Sequence, residues 1–169
     1  MRPSGALVLL SGFAASMAAG SCDPVHSDAV AALGGEAPGV PPGPLHRPGQ
    51  PCILCHDGAS GDPPAFSLAG TVFLDATSLT PAPGVTVTLV AADGNTKNAV
   101  TNAVGNFYLT PNDYNPKYPV HVTSIALGGV SALMHSHIGG NGSCAGCHVD
   151  PAGPDSPGHV YFEVAGTSP

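Results

Sequence analysis

The chain has 169 residues with four Lys and Arg against eleven Asp and Glu, a formal net charge of −7. It therefore lacks the concentrated basic surface that nucleic-acid binding requires. With 23 Gly, 19 Pro, no Trp and 5% aromatic residues, it buries less large apolar surface than an average domain, unless a bulky apolar cofactor makes up the shortfall. Eight His in so sparsely charged a chain point to metal ligation, for which imidazole is the commonest side chain.

In chain order, Arg2 and the apolar run from Ala6 to Ala19, centred on Leu7-Val8-Leu9-Leu10, predict an export signal over residues 1–21, too short to span a bilayer. It ends at Ala19-Gly20-Ser21-Cys22, which resembles the lipobox of bacterial lipoproteins, with Ala19 where that motif usually has Leu. The resemblance implies cleavage before Cys22 and a lipid anchor on its thiol, which would hold the chain at a membrane without crossing it. An ordinary secretory signal with a spare Cys22 is the alternative. Residues 22–44, ending in the Pro- and Gly-rich run Ala37 to Pro44, predict a disordered, extended tether, because proline fixes φ and removes donors.

A first binding segment follows over 45–65, containing Cys52-Ile-Leu-Cys55-His56. From Phe66 the chain reads as short strands separated by turns: Leu68–Leu74, the alternating Val85–Leu89, a hairpin turn at Asp93-Gly94-Asn95, then Thr96–Thr101, Asn106–Leu109 and Tyr118–Ile125. His159–Val164 is expected as a delayed closing strand. The fold class predicted is all-β, an antiparallel Greek-key sandwich over 66–130 with binding segments at 45–65 and 131–169.

Several of these pieces also carry a family resemblance. Gly70-Thr-Val, Pro83-Gly-Val-Thr-Val-Thr-Leu89, Asp93-Gly94 and Thr101-Asn-Ala-Val-Gly-Asn-Phe-Tyr-Leu109 resemble the carboxypeptidase regulatory-like, transthyretin-type β-sandwich. The resemblance implies a scaffold and brings no catalytic residue. It departs where Met134-His-Ser-His137 and a second motif, Cys144-Ala-Gly-Cys147-His148, stand in place of a last strand.

Cys-x-x-Cys-His is the attachment signature of c-type haem. Each thiol adds across a haem vinyl group, and the next His becomes the proximal iron ligand. Random placement of these residues gives on the order of 0.01 such patterns in a chain of this composition, so two are not accidental. The expected cofactors are two haem c groups, bound through Cys52, Cys55, Cys144 and Cys147 and ligated by His56 and His148. With Cys22 at the lipobox, all five Cys are assigned and none is left for a disulfide. A zinc site built from the two Cys pairs is an alternative, but zinc does not require a His directly after each pair. A redox dithiol is another, but it would need a βαβ context.

For the sixth ligands, Met134 is the sole Met beyond the signal. His46 lies six residues before Cys52, and His137 seven before Cys144, each followed by a Gly-containing turn. Both are assigned as distal ligands in one arrangement used twice, with His135 competing with His137 because alternate residues of an extended segment share a face. His121 and His159 are lesser candidates, and His26 is expected to be solvated. These residues predict an exported electron carrier rather than an enzyme, at the periplasm or cell surface. Its partners would be redox proteins or like subunits, and its membrane contact the lipid anchor alone. A dihaem peroxidase or reductase with one open iron, and a haem-stapled binding module, are the alternatives.

Overall fold

The computed structural model of the protein describes residues 24–59 and 63–162. The export signal, Cys22 and the end of the expected closing strand at Glu163 and Val164 lie outside the described residues. The regular structure of the described residues is mostly strand, arranged in two antiparallel sheets with little helix. Strand β1 (Leu68–Thr71) pairs with β4 (Asn106–Leu109), and the second sheet has the order β3 (Thr96–Val100), β2 (Thr86–Ala91), β5 (Val120–Leu127), β6 (Val130–Ala132).

Strand β2 shows why the chain folds this way. Val87, Leu89 and Ala91 point inward and are buried, while Thr86, Thr88 and Val90 alternate outward, the period of a half-buried strand. Asp93-Gly94 closes the β2–β3 hairpin, with Gly94 at φ 81°. Leu68, Phe107 and Leu109 from one sheet and Val87, Leu89 and Val122 from the other form a single core, so the sheets pack face to face. Strand β6 was not anticipated. It follows a turn at Gly128-Gly129, with φ of 59° and 86°. Two consecutive positive φ values are what a two-residue type I′ hairpin demands, and Gly-Gly meets that demand at no steric cost.

The expected tether differs from the structure. Pro24–Ala32 forms a helix, α1, because proline suits a first helical position and the run that follows contains several Ala. The Pro-rich stretch is tied to the sandwich: Asn102 Nδ2 donates to Pro44 O at 2.6 Å and Asn106 Nδ2 to His46 O at 2.9 Å. A proline-rich segment offers carbonyl acceptors without competing N–H donors, and the two Asn side chains use them.

The closing segment is a short parallel pairing rather than an antiparallel strand. Phe73 N donates to Val160 O at 2.9 Å and Phe162 N to Phe73 O at 2.8 Å, with Phe73 opposite Tyr161 in a parallel bridge. Phe162 fills the core at 1% exposure. Phe162→Ala is expected to cost about 3–5 kcal/mol, since a large cavity replaces a buried ring. Urea unfolding would show this as a lower midpoint, and an unchanged midpoint would mean that the segment contributes nothing to the core.

Candidate functional site

Both Cys-x-x-Cys-His motifs adopt the same local geometry. Cys52–Cys55 is a single α-turn, α2, and Cys144–Gly146 is a 3-10 turn. In each, the His backbone N–H donates to the carbonyl of the first Cys at 2.9 Å. The imidazoles are held alike: His56 Nδ1 lies 2.9 Å from Pro64 O, and His148 Nδ1 lies 2.9 Å from Gly158 O. A carbonyl only accepts, so Nδ1 carries the proton and Nε2 carries the lone pair. That tautomer, fixed by a backbone carbonyl, is the usual preparation of a metal-ligating imidazole. The two carbonyls are supplied by loops that return eight and ten residues later, a relation with no signature in the motif itself.

Strand β1 positions both motifs. α2 and the 3-10 turn each pack against it. Gly49 N donates to Thr71 Oγ1 at 2.8 Å, holding the first segment, and Ala69 N donates to Gly142 O at 2.9 Å, holding the second. The second motif is thus a loop strapped at both ends, by Gly142 to Ala69 of β1 before it and by Val160–Phe162 to Phe73, just beyond β1, after it. Gly70 permits the close approach, because a Cβ there would come within 2.7 Å of Cys144 Sγ.

The surroundings of the two motifs differ. His46, Cys52, Cys55, His56, Phe66 and Tyr108 line part of a cavity of about 560 Å³, a size that takes a large organic ligand. His56 is 8% exposed. Its ring lies 4.4 Å from that of Phe66, which stacks on Tyr108 at 4.7 Å. Across from His56 stands His46, with ring centroids 5.9 Å apart. Two imidazoles on one ion, each with a metal–nitrogen bond of about 2 Å, place their centroids about 6.3 Å apart when opposite and about 5.1 Å apart at a tetrahedral angle. The observed spacing lies nearer the opposed limit. Behind His46, Glu36 Oε1 is 3.2 Å from Nδ1 and accepts from Arg47 Nε at 3.0 Å. His46 Nδ1 and Glu36 Oε2 are both buried without hydrogen-bond partners. Around the second motif, Gly49, Thr71, Cys144, His148 and His159 enclose a gap of only about 10 Å³, and Cys147 is exposed. A group attached there would lie on the outside of the fold.

The four described Cys are free thiols. Burial pushes the Cys52 thiol up and that of Cys144 up to about 12, with neighbouring sulfurs adding to the shift. A redox dithiol needs the opposite, a lowered thiol pKa. Among the described residues no three His, Cys, Asp or Glu side chains converge on a metal position.

The remaining His residues are distributed differently from the expectation. His137 lies opposite His121, with ring centroids 5.6 Å apart, and among the described residues no imidazole ring faces His148. The segment bends at His135 and Ser136 instead of running extended past His137. Met134 packs at the edge of the core, and its backbone N–H donates to Val122 O at 3.1 Å.

His159 is engaged elsewhere. Nδ1 lies 2.7 Å from Asp150 Oδ2, and Nε2 lies 2.9 Å from Asp75 O, so the ring is not presented as a ligand. Both partners accept, which favours the imidazolium. Burial pushes its pKa down, but the Asp75 carbonyl and the Asp150 carboxylate more than offset this and raise it above the ordinary value. The hydrogen bond from His159 lowers that of Asp150. The raised His contributes stability below its unfolded value of about 6.5, which is lost as pH rises through its folded value; the lowered Asp contributes above about 3.9, which is lost as pH falls. Protection of residues 150–162 from proteolysis is therefore expected to be greatest between about pH 4 and 6.5, with the dependence flattened in His159→Ala. A flat wild-type profile would exclude the clasp.

Comparison with protein-family models, with curated proteins and with solved structures finds no match to this chain.

Proposed function

We propose that the chain is an exported dihaem c-type cytochrome that transfers electrons. The observation that carries this reading is the duplicated geometry of His56 and His148. Each follows a helical turn bearing two thiols, and each is held through Nδ1 by a backbone carbonyl, which leaves Nε2 for coordination. Haem would supply the one-electron ferric/ferrous couple.

The chain's own residues would do the rest. Cys52 and Cys55 would fasten the first group within the cavity, where His46, across from His56, would serve as distal ligand and Phe66 and Tyr108 would flank the group. Cys144 and Cys147 would fasten the second at the surface, with His148 as proximal ligand. Its sixth ligand would come from the Met134–His137 segment, with His135 preferred because His137 faces His121. Because β1 carries both motifs, an electron would cross a short, rigid path between an enclosed site and an exposed one, and the exposed site would meet a redox protein or a like subunit. The Greek-key, carboxypeptidase regulatory-like assignment of the sandwich and the Cys22 lipid anchor belong to this proposal. They are supported by the sequence motifs.

A second reading has one observation in its favour. No imidazole ring among the described residues faces His148, so that iron would be open and the protein a peroxidase or reductase. Haem staining after denaturing electrophoresis, followed by EPR and carbon monoxide titration of the exported protein, tests both. A covalently stained band with two low-spin irons insensitive to carbon monoxide is the expected result. Carbon monoxide binding at one iron of two would favour the enzyme, and an unstained band would end both readings.

A further inference from the structure

We propose that His121 and His137 form a surface site for a divalent transition metal of the copper, zinc or nickel class, separate from both Cys motifs. The sheet register builds the pair. Val120 N donates to Ile138 O at 3.0 Å and Ile138 N returns to Val120 O at 2.8 Å, so the two residues form a reciprocally bonded antiparallel pair. The next pair along is His121 with His137. In an antiparallel ladder it is a pair without mutual backbone bonds, the kind whose side chains approach most closely.

Alternation then fixes the direction of His121. Val120 and Val122 are buried in the core, so His121 between them points outward. His137 is likewise exposed, beside the inward Ile138. The rings stand 5.6 Å apart and are tilted by 35°. That distance falls between the roughly 5.1 Å of two imidazoles at a tetrahedral angle and the roughly 6.3 Å of an opposed pair, so one ion can bridge them with little movement. Among the described residues neither ring is hydrogen-bonded to a neighbour. On its other side His121 faces Val90, which neither competes for the ion nor repels it.

The donor set selects the ion. Imidazole favours copper, zinc and nickel over magnesium and calcium, which prefer oxygen ligands. The chain's net charge of −7 attracts cations in general. Two imidazoles and solvent would complete the coordination. A bound ion would tie residues 133–143, which lead into Cys144, to the start of β5.

The proposal rests on register and ring spacing, so it stands or falls apart from the haem reading. The test is titration of the exported, full-length protein with Cu²⁺, read by EPR, and with Zn²⁺, read by calorimetry. The expected result is one equivalent with nitrogen hyperfine structure from two imidazoles. Affinity should fall about tenfold or more in each of His121→Ala and His137→Ala. His121→Gln, which retains size and polarity at this exposed position, should behave like His121→Ala. Cu²⁺ affinity unchanged in both His121 variants would overturn the site. A shift of the low-spin haem signal in His137→Ala would overturn it too, by making His137 an iron ligand. An unstained protein that still binds Cu²⁺ through these two His would refute the haem reading and leave the metal site standing.

Discussion

The Cys144→Ala/Cys147→Ala double variant is expected to carry one haem per chain in place of two, measured as pyridine haemochrome against protein. Cys52→Ala/Cys55→Ala should show the same halving, because each pair fastens its own group. The consequences for stability should differ. The first motif lines the cavity of about 560 Å³, with Phe66, Tyr108 and several prolines around it. A protein that folds around a bound group is stabilised by that group, and the more so the more of it is enclosed. Losing the first group would leave that apolar cavity to water, whereas losing the second would bare a surface loop held by backbone bonds at both ends, to Ala69 of β1 and to Phe73. The thermal midpoint should therefore fall further in the Cys52/Cys55 variant. Unchanged haem content in either variant would exclude attachment at that motif, and equal midpoints would mean that the cavity is not the first group's seat.

The legible parts of this chain were those with local signals. The alternation of β2 and the Asp93-Gly94 turn each depend on a few consecutive residues, and the structure follows them. That a single strand carries both motifs was not legible. Nothing within Cys52–His56 or Cys144–His148 tells that β1 will carry both, since that depends on Gly49 reaching Thr71 and Gly142 reaching Ala69. α1 was hidden because the Pro and Gly content of residues 33–44 dominated the reading of the whole stretch, while the run from Pro24 to Ala32 has its own helical preference. Strand β6 is three residues long, below the length at which alternation can be recognised; the Gly128-Gly129 turn was the available signal. The partner of His121 was hidden for a different reason. Its outward direction was evident from Val120 and Val122, but its partner comes from a bridge formed after a hairpin, and a single strand cannot reveal what lies opposite. The apparent symmetry of His46 and His137, each preceding a Cys pair, gives way for the same reason. One faces the His of its own motif, and the other faces a strand.

That asymmetry makes His46 the most informative single substitution. His46→Ala is expected to convert the first iron from low spin to high spin and to let it bind carbon monoxide, while the second is unaffected. The ring of His46 stands 5.9 Å from that of His56, close to the spacing of two imidazoles on opposite sides of one ion. Its Nδ1 lies 3.2 Å from Glu36 Oε1, which Arg47 also holds. The negative charge of Glu36 beside the ring makes a ligating imidazole a better donor even without a hydrogen bond, so Glu36→Gln should weaken the distal bond without abolishing it, giving partial high-spin character. His46→Met should restore six-coordination and raise the reduction potential, because a thioether donor favours the ferrous state relative to a second imidazole. The three variants should therefore give an open iron, a weakened low-spin iron and a low-spin iron at higher potential. A structural role for His46 in holding the Pro44–Arg47 turn would instead lower stability in all three and leave spin state and potential where they were. If His46→Ala leaves the low-spin signal intact, the distal ligand must come from elsewhere, and the facing rings in the cavity would reflect packing alone.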